Sequence, residues 1–356
     1  MSAPTETPSP SDERDVSISQ AKGRLRWGGR LSHWSTRWAA TIVIALLVIW
    51  STSTHTSRQD VLVTLRTTAF QFTIPASGPD LVKCMYLGGM DLQHASMSGV
   101  GSLRAKGREY AAENGEIDLG GSDAAGGAAH TLTCPRGSTV AIRTADDIVE
   151  IEVRAPKGGD ATKQAELSLS VPAAWLPERM RGRGLDAEPM AVTVAAAPGQ
   201  TLSLVLKLSH AGRAVASLGV QGTRTEDFTV TLPRLAEEPP ESSELISGTM
   251  TFPDLPRREP ETIWIGERIK AHRSEGIILA VDRITTPPDD SAGTWSTSSL
   301  RVAWRGTMTL PRIGHPGNER DPSPSILDAW LSTRSFSDLI ALVVAILTAL
   351  ALLLSK

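Results

Sequence analysis

The sequence predicts a mainly β protein: an extracytoplasmic antiparallel β-sandwich region, of one or two domains, flanked by two transmembrane helices. Two apolar segments, one near each end of the chain, indicate the helices. Between them, short runs of alternating apolar and polar residues are separated by Pro and Gly, which is typical of strands and turns. No long amphipathic helical pattern lies between these runs, which argues against a parallel α/β sheet.

Seven segments follow from these patterns. In chain order we expect a disordered basic cytoplasmic tail (1–37), transmembrane helix 1 acting as a signal anchor (38–54), an extracytoplasmic β-rich domain (55–235), a Pro/Glu-rich linker or loop (236–247), a second β-rich domain or a continuation of the first (248–322), an interfacial helix (323–334) and transmembrane helix 2 (335–355).

The two apolar segments reach spanning length only when short flanking stretches are counted with them. A bilayer core about 30 Å thick needs about 20 mostly apolar residues. The apolar stretches cover 38–50 and 339–354, and residues 51–54 and 335–338 extend them. A cleaved signal peptide is the alternative for the first segment, since Ser51 and Ser53 are small, but Trp50 and the long leader argue against cleavage.

Basic residues before the first segment predict the orientation of the chain. The residues in question are Lys22, Arg24, Arg26, Arg30 and Arg37. By the positive-inside rule both termini are expected in the cytoplasm and the middle of the chain outside it. The composition is rich in Ala, Gly and Arg and poor in Lys, which favours a bacterial source and hence the inner (cytoplasmic) membrane.

Tryptophans cluster where the chain is expected to meet the lipid bilayer, its first predicted partner. They are Trp27, Trp34, Trp38, Trp50 and Trp330. Residues 24–38 are interpreted either as a plain basic flank with interfacial tryptophans or as a short helix on the inner leaflet. Before the second span, Ser323 is predicted to cap the interfacial helix, with Pro324 at its first position.

Strand candidates fill the exported part. The clearest alternate apolar and polar residues with a period of two, around Ile151, Leu204 and Val230. The further candidates are 61–74, 166–171, 190–194, 248–252, 262–265, 277–281 and 300–310.

Cys84 and Cys134 are the only cysteines in the chain. Both lie in the part expected to be exported, where an oxidising environment favours one disulfide between them. The alternative is a pair of buried free thiols. A redox role is not predicted, because the chain has no Cys-x-x-Cys.

Alanines recur every four residues along the second apolar segment, at Ala341, Ala345 and Ala349. Small residues at this spacing let another helix approach closely within a membrane. The stripe predicts helix packing with the first span, a second copy of the chain or a protein partner. General alanine abundance is the alternative explanation.

No catalytic, cofactor-binding or metal-binding residue is predicted. The exported histidines are scattered, without a metal-ligand spacing. The nearest match to a nucleophile elbow, Gly120–Ala124, lacks the second glycine, and Asp289-Asp290 follows two prolines as in a turn. The formal charge of −3 gives no electrostatic basis for nucleic-acid binding.

These expectations favour a noncatalytic binding, scaffold or assembly component of the cell envelope. A β-rich body tethered at both ends stays close to the membrane, which suits assembly better than diffusion to a soluble substrate. Two alternatives remain at this level: a membrane-tethered enzyme acting on an envelope polymer, and a transmembrane sensor signalling through its short cytoplasmic tail.

Overall fold

The computed structural model describes most of the region between the two apolar segments. The described residues are 58–86, 91–120, 127–156, 163–176, 189–208, 215–219, 221–230, 245–256, 258–286, 297–315 and 317–325, together with Asp328, Ala341 and Val344. Ser57–Ser323 form one compact unit, and Met1–Thr56 with Pro324–Lys356 form a second. Strand makes up 68 % of the described residues, so the prediction of a mainly β fold is confirmed.

Twenty-two strands occur among the described residues. The first eleven are β1 Arg58–Thr67, β2 Ala69–Thr73, β3 Leu81–Tyr86, β4 Asp91–Ser98, β5 Val100–Ala105, β6 Arg108–Ala111, β7 Glu116–Gly120, β8 Gly127–Pro135, β9 Thr139–Ala145, β10 Ile148–Arg154 and β11 Glu166–Pro172. The others are β12 Pro189–Ala196, β13 Leu202–Leu208, β14 Val215–Ser217, β15 Arg224–Thr229, β16 Leu245–Thr251, β17 Glu261–Ile263, β18 Arg268–Lys270, β19 Arg273–Thr286, β20 Thr297–Thr309, β21 Arg312–His315 and β22 Asn318–Arg320. Two short 3-10 turns accompany them, Glu113–Gly115 and Ala173–Trp175.

Nineteen strands belong to one continuous antiparallel sheet, and the other three form a small second sheet. Neighbours in the large sheet follow the path β17–β16–β1–β20–β19–β15–β2–β9–β10–β13–β4–β8–β11–β12–β5–β6. Three further strands join at the side: β3 pairs with β8, β7 with β4 and β14 with β19. The small sheet has the order β18–β21–β22.

Alternating burial explains why the clearest sequence patterns form strands. Along β1, β10, β11 and β13, every second side chain is buried and the intervening ones are partly exposed. A period of two places apolar side chains on one face of a pleated strand. The strands predicted around Ile151 and Leu204 are thereby confirmed.

Aromatic side chains join strands that are far apart in sequence. The rings of Phe70 and Phe228 lie 6.2 Å apart, and those of Phe228 and Trp304 stack at 5.2 Å. Trp304 is fully buried, and its indole Nε1 donates to Thr225 Oγ1 at 2.7 Å, so its polar atom is satisfied. Through these contacts β2, β15 and β20 share one core.

A glycine pair lies beneath the Trp304 indole. Gly276 of β19 and Gly306 of β20 face each other across the strand pair. A Cβ atom on Gly306 would come within 2.7 Å of Trp304 Cζ2, and one on Gly276 within 2.6 Å of Trp304 Cε2. The ring therefore fills space that side chains at these two positions would otherwise occupy.

Some predicted strands differ from the observed ones. The strand predicted over 61–74 is divided at Thr68, because Thr67 Oγ1 bonds the backbone N–H and carbonyl of Ala69 in place of the ladder. The strand predicted over 262–265 ends at Ile263, where a turn begins. Leu245 already belongs to β16, and residues 231–244, which include most of the predicted linker, lie outside the described residues.

The predicted membrane segments lie almost entirely outside the described residues. Only Ala341 and Val344 of 335–355 are described, and both are helical. Among the described residues, no helix combines the length and the apolar character needed to span a membrane. In the unit that contains Pro324, Ser325 Oγ accepts from the Asp328 N–H at 3.0 Å, and Asp328 Oδ2 accepts from the Ser325 N–H at 3.3 Å. This reciprocal pair is a capping box, so the cap lies at Ser325 and not at Ser323 as predicted.

A short series of contacts connects Pro322, near the end of the compact unit Ser57–Ser323, with β16 and β1. β1 begins at Arg58, and Leu62, about 13 Å along the strand, faces Thr251 at the end of β16. Phe252 follows directly, and the guanidinium of Arg258 lies 4.6 Å above its ring. The same guanidinium donates to the carbonyl of Pro322 at 2.8 Å. Pro322 is therefore held near the end of β16, close to where β16 stops pairing with β1 at Leu62.

Candidate functional site

Among the described residues of the compact unit, the large apolar side chains with the greatest exposure lie on a tight turn between β17 and β18. The turn runs from Trp264 to Glu267 and is closed by the Glu267 N–H, which donates to the Trp264 carbonyl at 3.1 Å. Gly266 has a φ of 79°, as the third residue of a type II turn requires. Its N–H donates to the carbonyl of Leu245 at 3.0 Å, which attaches the turn to β16.

Trp264 and Ile265 point away from the protein core. Trp264 is 63 % exposed and Ile265 is 71 % exposed. A buried neighbour holds their backbone, because Glu267 Oε2 accepts from the Trp264 N–H at 2.8 Å. Exposed large apolar side chains on an ordered turn are typical of contact surfaces.

Glu267 and Arg320 form an ion pair behind this turn. The Glu267 side chain is 6 % exposed. Arg320 of β22 donates to its carboxylate through both terminal nitrogens, from Nη1 to Oε1 and from Nη2 to Oε2, the second bond at 3.3 Å. Arg320 Nη2 also donates to the Thr262 carbonyl at 2.8 Å. Bidentate pairs of this kind are stronger than single hydrogen bonds and fix orientation. The small sheet is thereby bonded to the end of β17.

Glu267 is held in its ionised form. Burial by itself would raise the pKa of the carboxyl, but the hydrogen bonds from Arg320 and the Trp264 N–H, with the charges of Arg320 and His315, lower it below 4.5. The bond to Glu267 in turn raises the pKa of Arg320. A carboxylate that is already bonded through both oxygens has no proton to give and no free basic site near neutral pH. The pair therefore positions the turn and is not suited to acid–base catalysis.

A second buried polar cluster surrounds Arg283 on β19. Its side chain donates through Nε to Thr144 Oγ1 at 3.3 Å and through Nη2 to the Asp146 carbonyl. Thr144 Oγ1 also lies 3.0 Å from Ser298 Oγ. Burial lowers the pKa of Arg283, and the charge of Asp147 opposes that effect. These bonds tie β9, β19 and β20 together, so the cluster is structural.

Cys84 of β3 and Cys134 of β8 form a disulfide, as predicted. Both are fully buried, and the strands that carry them are hydrogen-bonded neighbours. The backbone on one side of the bridge is also tied to a distant loop, since Thr223 Oγ1 donates to the Cys84 carbonyl at 3.1 Å. The bridge therefore fixes an interior strand pair and presents no reactive sulfur.

The other residues predicted for membrane contact or helix packing lie outside the described residues, apart from Ala341. They are Trp27, Trp34, Trp38, Trp50, Trp330, Ala345 and Ala349. The same holds for Asp289-Asp290 and for most of 120–124. In the described ranges no three His, Cys, Asp or Glu side chains come together as a metal site would require. His94 pairs instead with Asp118 on an exposed face, at 2.7 Å.

The turn and its ion pair were not identified from the sequence. Gly266 after Trp264-Ile265 is a signal for a turn. No local pattern connects Glu267 with Arg320, however, because 53 residues separate them. Comparison of the chain with known protein families, curated proteins and solved structures gives no match.

Proposed function

We propose that this protein is a membrane-anchored, noncatalytic binding or assembly component of a bacterial cell envelope. Its β-rich body, an antiparallel sandwich, lies outside the cytoplasm between two transmembrane helices, 38–54 and 335–355. Both termini are cytoplasmic. The β-rich body offers binding surfaces outside the cytoplasm. The second span packs against a protein partner or a second copy of the chain.

The position of Pro322 near the end of β16, which pairs with β1, is the observation that supports this proposal. Leu62 of β1 faces Thr251 at the end of β16. The next residue, Phe252, lies under the guanidinium of Arg258, which also donates to the Pro322 carbonyl. A body held by two spans of one membrane needs its entry and exit on the same side, because the spans leave it toward a single surface. A chain with ends on opposite faces would need long connections to meet that condition.

The chemistry of the polar clusters supports a binding role. The buried ionisable side chains of Glu267 and Arg283 are both hydrogen-bonded to other residues of this chain, so neither is free to act on a substrate. The exposed Trp264 and Ile265 are held on a rigid turn, which keeps the entropy cost of binding a partner low.

Reporter fusions in bacterial cells test the membrane arrangement. Fusions at Met1, after Pro240 and after Lys356 should report cytoplasm, exterior and cytoplasm in turn. A reporter that works only after export serves as the opposing probe at each site. Activity of that reporter after Lys356, or of a cytoplasmic reporter after Pro240, would refute the two-span arrangement.

A further inference from the structure

The turn that presents Trp264 and Ile265 is bonded to the C-terminal end of the compact unit. Its last residue, Glu267, accepts hydrogen bonds from Arg320 through both carboxylate oxygens. Arg320 ends β22 and lies three positions before Ser323, the last residue of the unit. The exposed apolar pair is therefore tied to the last strand before the chain leaves the β-rich unit.

Only a short connection separates this strand from the second proposed span. Residues 321–325 reach about 17 Å when fully extended. A helix begins directly after them, because Ser325 and Asp328 form a capping box and Asp328 is helical. With the helix predicted over 323–334, residues 326–334 add about 14 Å. The connection from Arg320 to residue 335 therefore reaches about 30 Å, which is short enough to keep the end of β22 near the bilayer that this span would cross.

The two side chains have the chemistry of an interfacial membrane contact. Tryptophan, with an apolar ring and one N–H donor, is enriched where lipid headgroups meet acyl chains. Ile265, at 71 % exposure, is wholly apolar in its side chain. The turn cannot fold inward to bury this pair, because the bonds from the Trp264 N–H to Glu267 and from the Gly266 N–H to Leu245 fix its backbone. An external apolar environment is thus the way to remove both side chains from water.

The size of the patch favours a lipid surface over a protein partner. Trp264 and Ile265 together expose on the order of 300 Å². A stable protein complex buries about 800 Å² on each partner. Shallow insertion into lipid needs no such area, because the proposed spans already hold the protein at the membrane.

Charged residues beside the turn do not call for a charged ligand. Glu267 is paired with Arg320, and Glu261 with Arg258. Each pair balances its charges within the protein. Insertion of the apolar pair therefore requires no anionic headgroup, and a zwitterionic lipid such as phosphatidylcholine is sufficient.

We infer that the turn from Trp264 to Glu267 is a membrane-docking loop, in which Trp264 and Ile265 insert into the headgroup region of the bilayer crossed by the second proposed span. The inference rests on the proposed function, since it takes 335–355 as a membrane span. Contact at this additional point would hold the β-rich body against the membrane surface and restrict its tilt.

A fluorophore at the tip of the turn tests the inference in the full chain. Ile265→Cys supplies a single free thiol, because the only natural cysteines, Cys84 and Cys134, are joined in a disulfide. The variant is labelled with nitrobenzoxadiazole and reconstituted into phosphatidylcholine vesicles, with or without a quencher attached to the acyl chains. We expect the dye emission to shift to shorter wavelength and to fall severalfold when the lipid-borne quencher is present. Iodide on both sides of the membrane serves as the quencher from water and should have little effect.

Thr285→Cys, labelled in the same way, is the matched control. Thr285 is partly exposed and lies about 40 Å along β19 from Arg273, the end of that strand nearest to β18 in sequence. Its dye should be quenched by iodide and not by the lipid-borne quencher. Equal lipid quenching at the two positions would contradict a docking role specific to the turn.

The remaining outcomes separate the inference from the proposed function. Quenching of the Ile265 label by iodide alone would place the turn in water, and protection from both quenchers would place it beneath a protein partner or a second copy. Either result overturns the inference while leaving the spans intact. Protein that fails to float with the vesicles would refute the membrane spans, and the docking loop with them.

Discussion

At the residue scale, the Glu267–Arg320 pair is the interaction with the clearest dependence on pH. Its carboxyl has a lowered pKa in the folded protein, so its contribution to stability is fully present above the unfolded pKa near 4.5. That contribution is lost as the pH falls through the lower, folded pKa. The pair should therefore stabilise the protein at neutral pH and weaken it in acid.

Glu267→Gln should remove this stabilisation. The amide cannot accept the two charge-assisted bonds from Arg320, and we expect a loss of about 2 kcal/mol in the free energy of unfolding at pH 7. The difference between parent and variant should shrink as the pH falls below 4.5. Denaturant unfolding of the full chain at several pH values measures both effects.

Glu319→Gln provides the comparison for this variant. Its ion pair with Lys270 is considerably exposed on the lysine side, so its loss should cost under about 1 kcal/mol. If both variants lose the same stability at pH 7, the Glu267 pair does not have the strength assigned to it.

The disulfide is a second residue-scale feature with a measurable energy. It closes a loop of 50 residues, which in the simple chain-entropy model removes about 4 kcal/mol of unfolded-state freedom. Cys84→Ser should therefore lower the Tm, and the Cys84→Ser/Cys134→Ser double variant should lose no more than the single one. Native-state alkylation followed by non-reducing gels measures the bridge directly. Labelling of both thiols in the native protein without reductant would contradict it.

At the element scale, the alternation of apolar and polar residues predicted the strands that have one buried face and one more exposed face. Residues 148–154 and 202–208 alternate buried apolar side chains with more exposed ones, most of them polar, and both form strands as predicted. β5 and β7 carry Gly and charged residues and were not predicted. They are strands because β12 and β4 pair with them, and such tertiary pairing leaves little trace in local sequence.

The candidate site could not be predicted from sequence patterns either, because it too depends on tertiary pairing between distant strands. Thr262–Ile265 was predicted as strand because its apolar residues suit one, whereas Gly266 ends the strand early. Arg320 lies in a three-residue strand, too short to show a period. Only the folded chain brings it to Glu267.

The pairing of β19 with β20 depends on its two facing glycines. A methyl group on Gly306 would overlap Gly276 Cα and the Trp304 ring, whose position is fixed by the bond to Thr225. Gly306→Ala should therefore destabilise the protein by about 3 kcal/mol, at the upper end of the cost of overpacking. Thermal unfolding followed by tryptophan fluorescence measures the change.

Gly101→Ala is a graded control for this variant. Its added Cβ would approach Ala197 Cα at 3.0 Å, a milder contact that a small backbone shift relieves. It should cost clearly less than Gly306→Ala. Equal losses would show that the Trp304 ring can move away and that the glycine pair is not required.

At the scale of the whole molecule, the position of Pro322 limits how far the second proposed span begins from the β-rich unit. Pro322 is bonded to Arg258, whose guanidinium lies over Phe252 at the end of β16. From Pro322 to the start of the second span at residue 335, a fully extended chain reaches about 45 Å at most. A connection of this reach permits the second proposed span to pack against the first or against a second copy.

Ala345→Ile tests whether the second span has this packing role. In a membrane, helices associate by close contact between small residues, since lipid removes the hydrophobic driving force between them. Isoleucine in the middle of the Ala341, Ala345 and Ala349 stripe should separate the helices while the segment stays apolar and still inserts. We expect crosslinking in native membranes, to the first span, a second copy or a partner, to fall severalfold, with membrane localisation unchanged. Val343→Ile, which enlarges the opposite face of the predicted helix, should crosslink like the parent. Equal crosslinking of all three proteins would reduce the stripe to the general abundance of alanine in this chain.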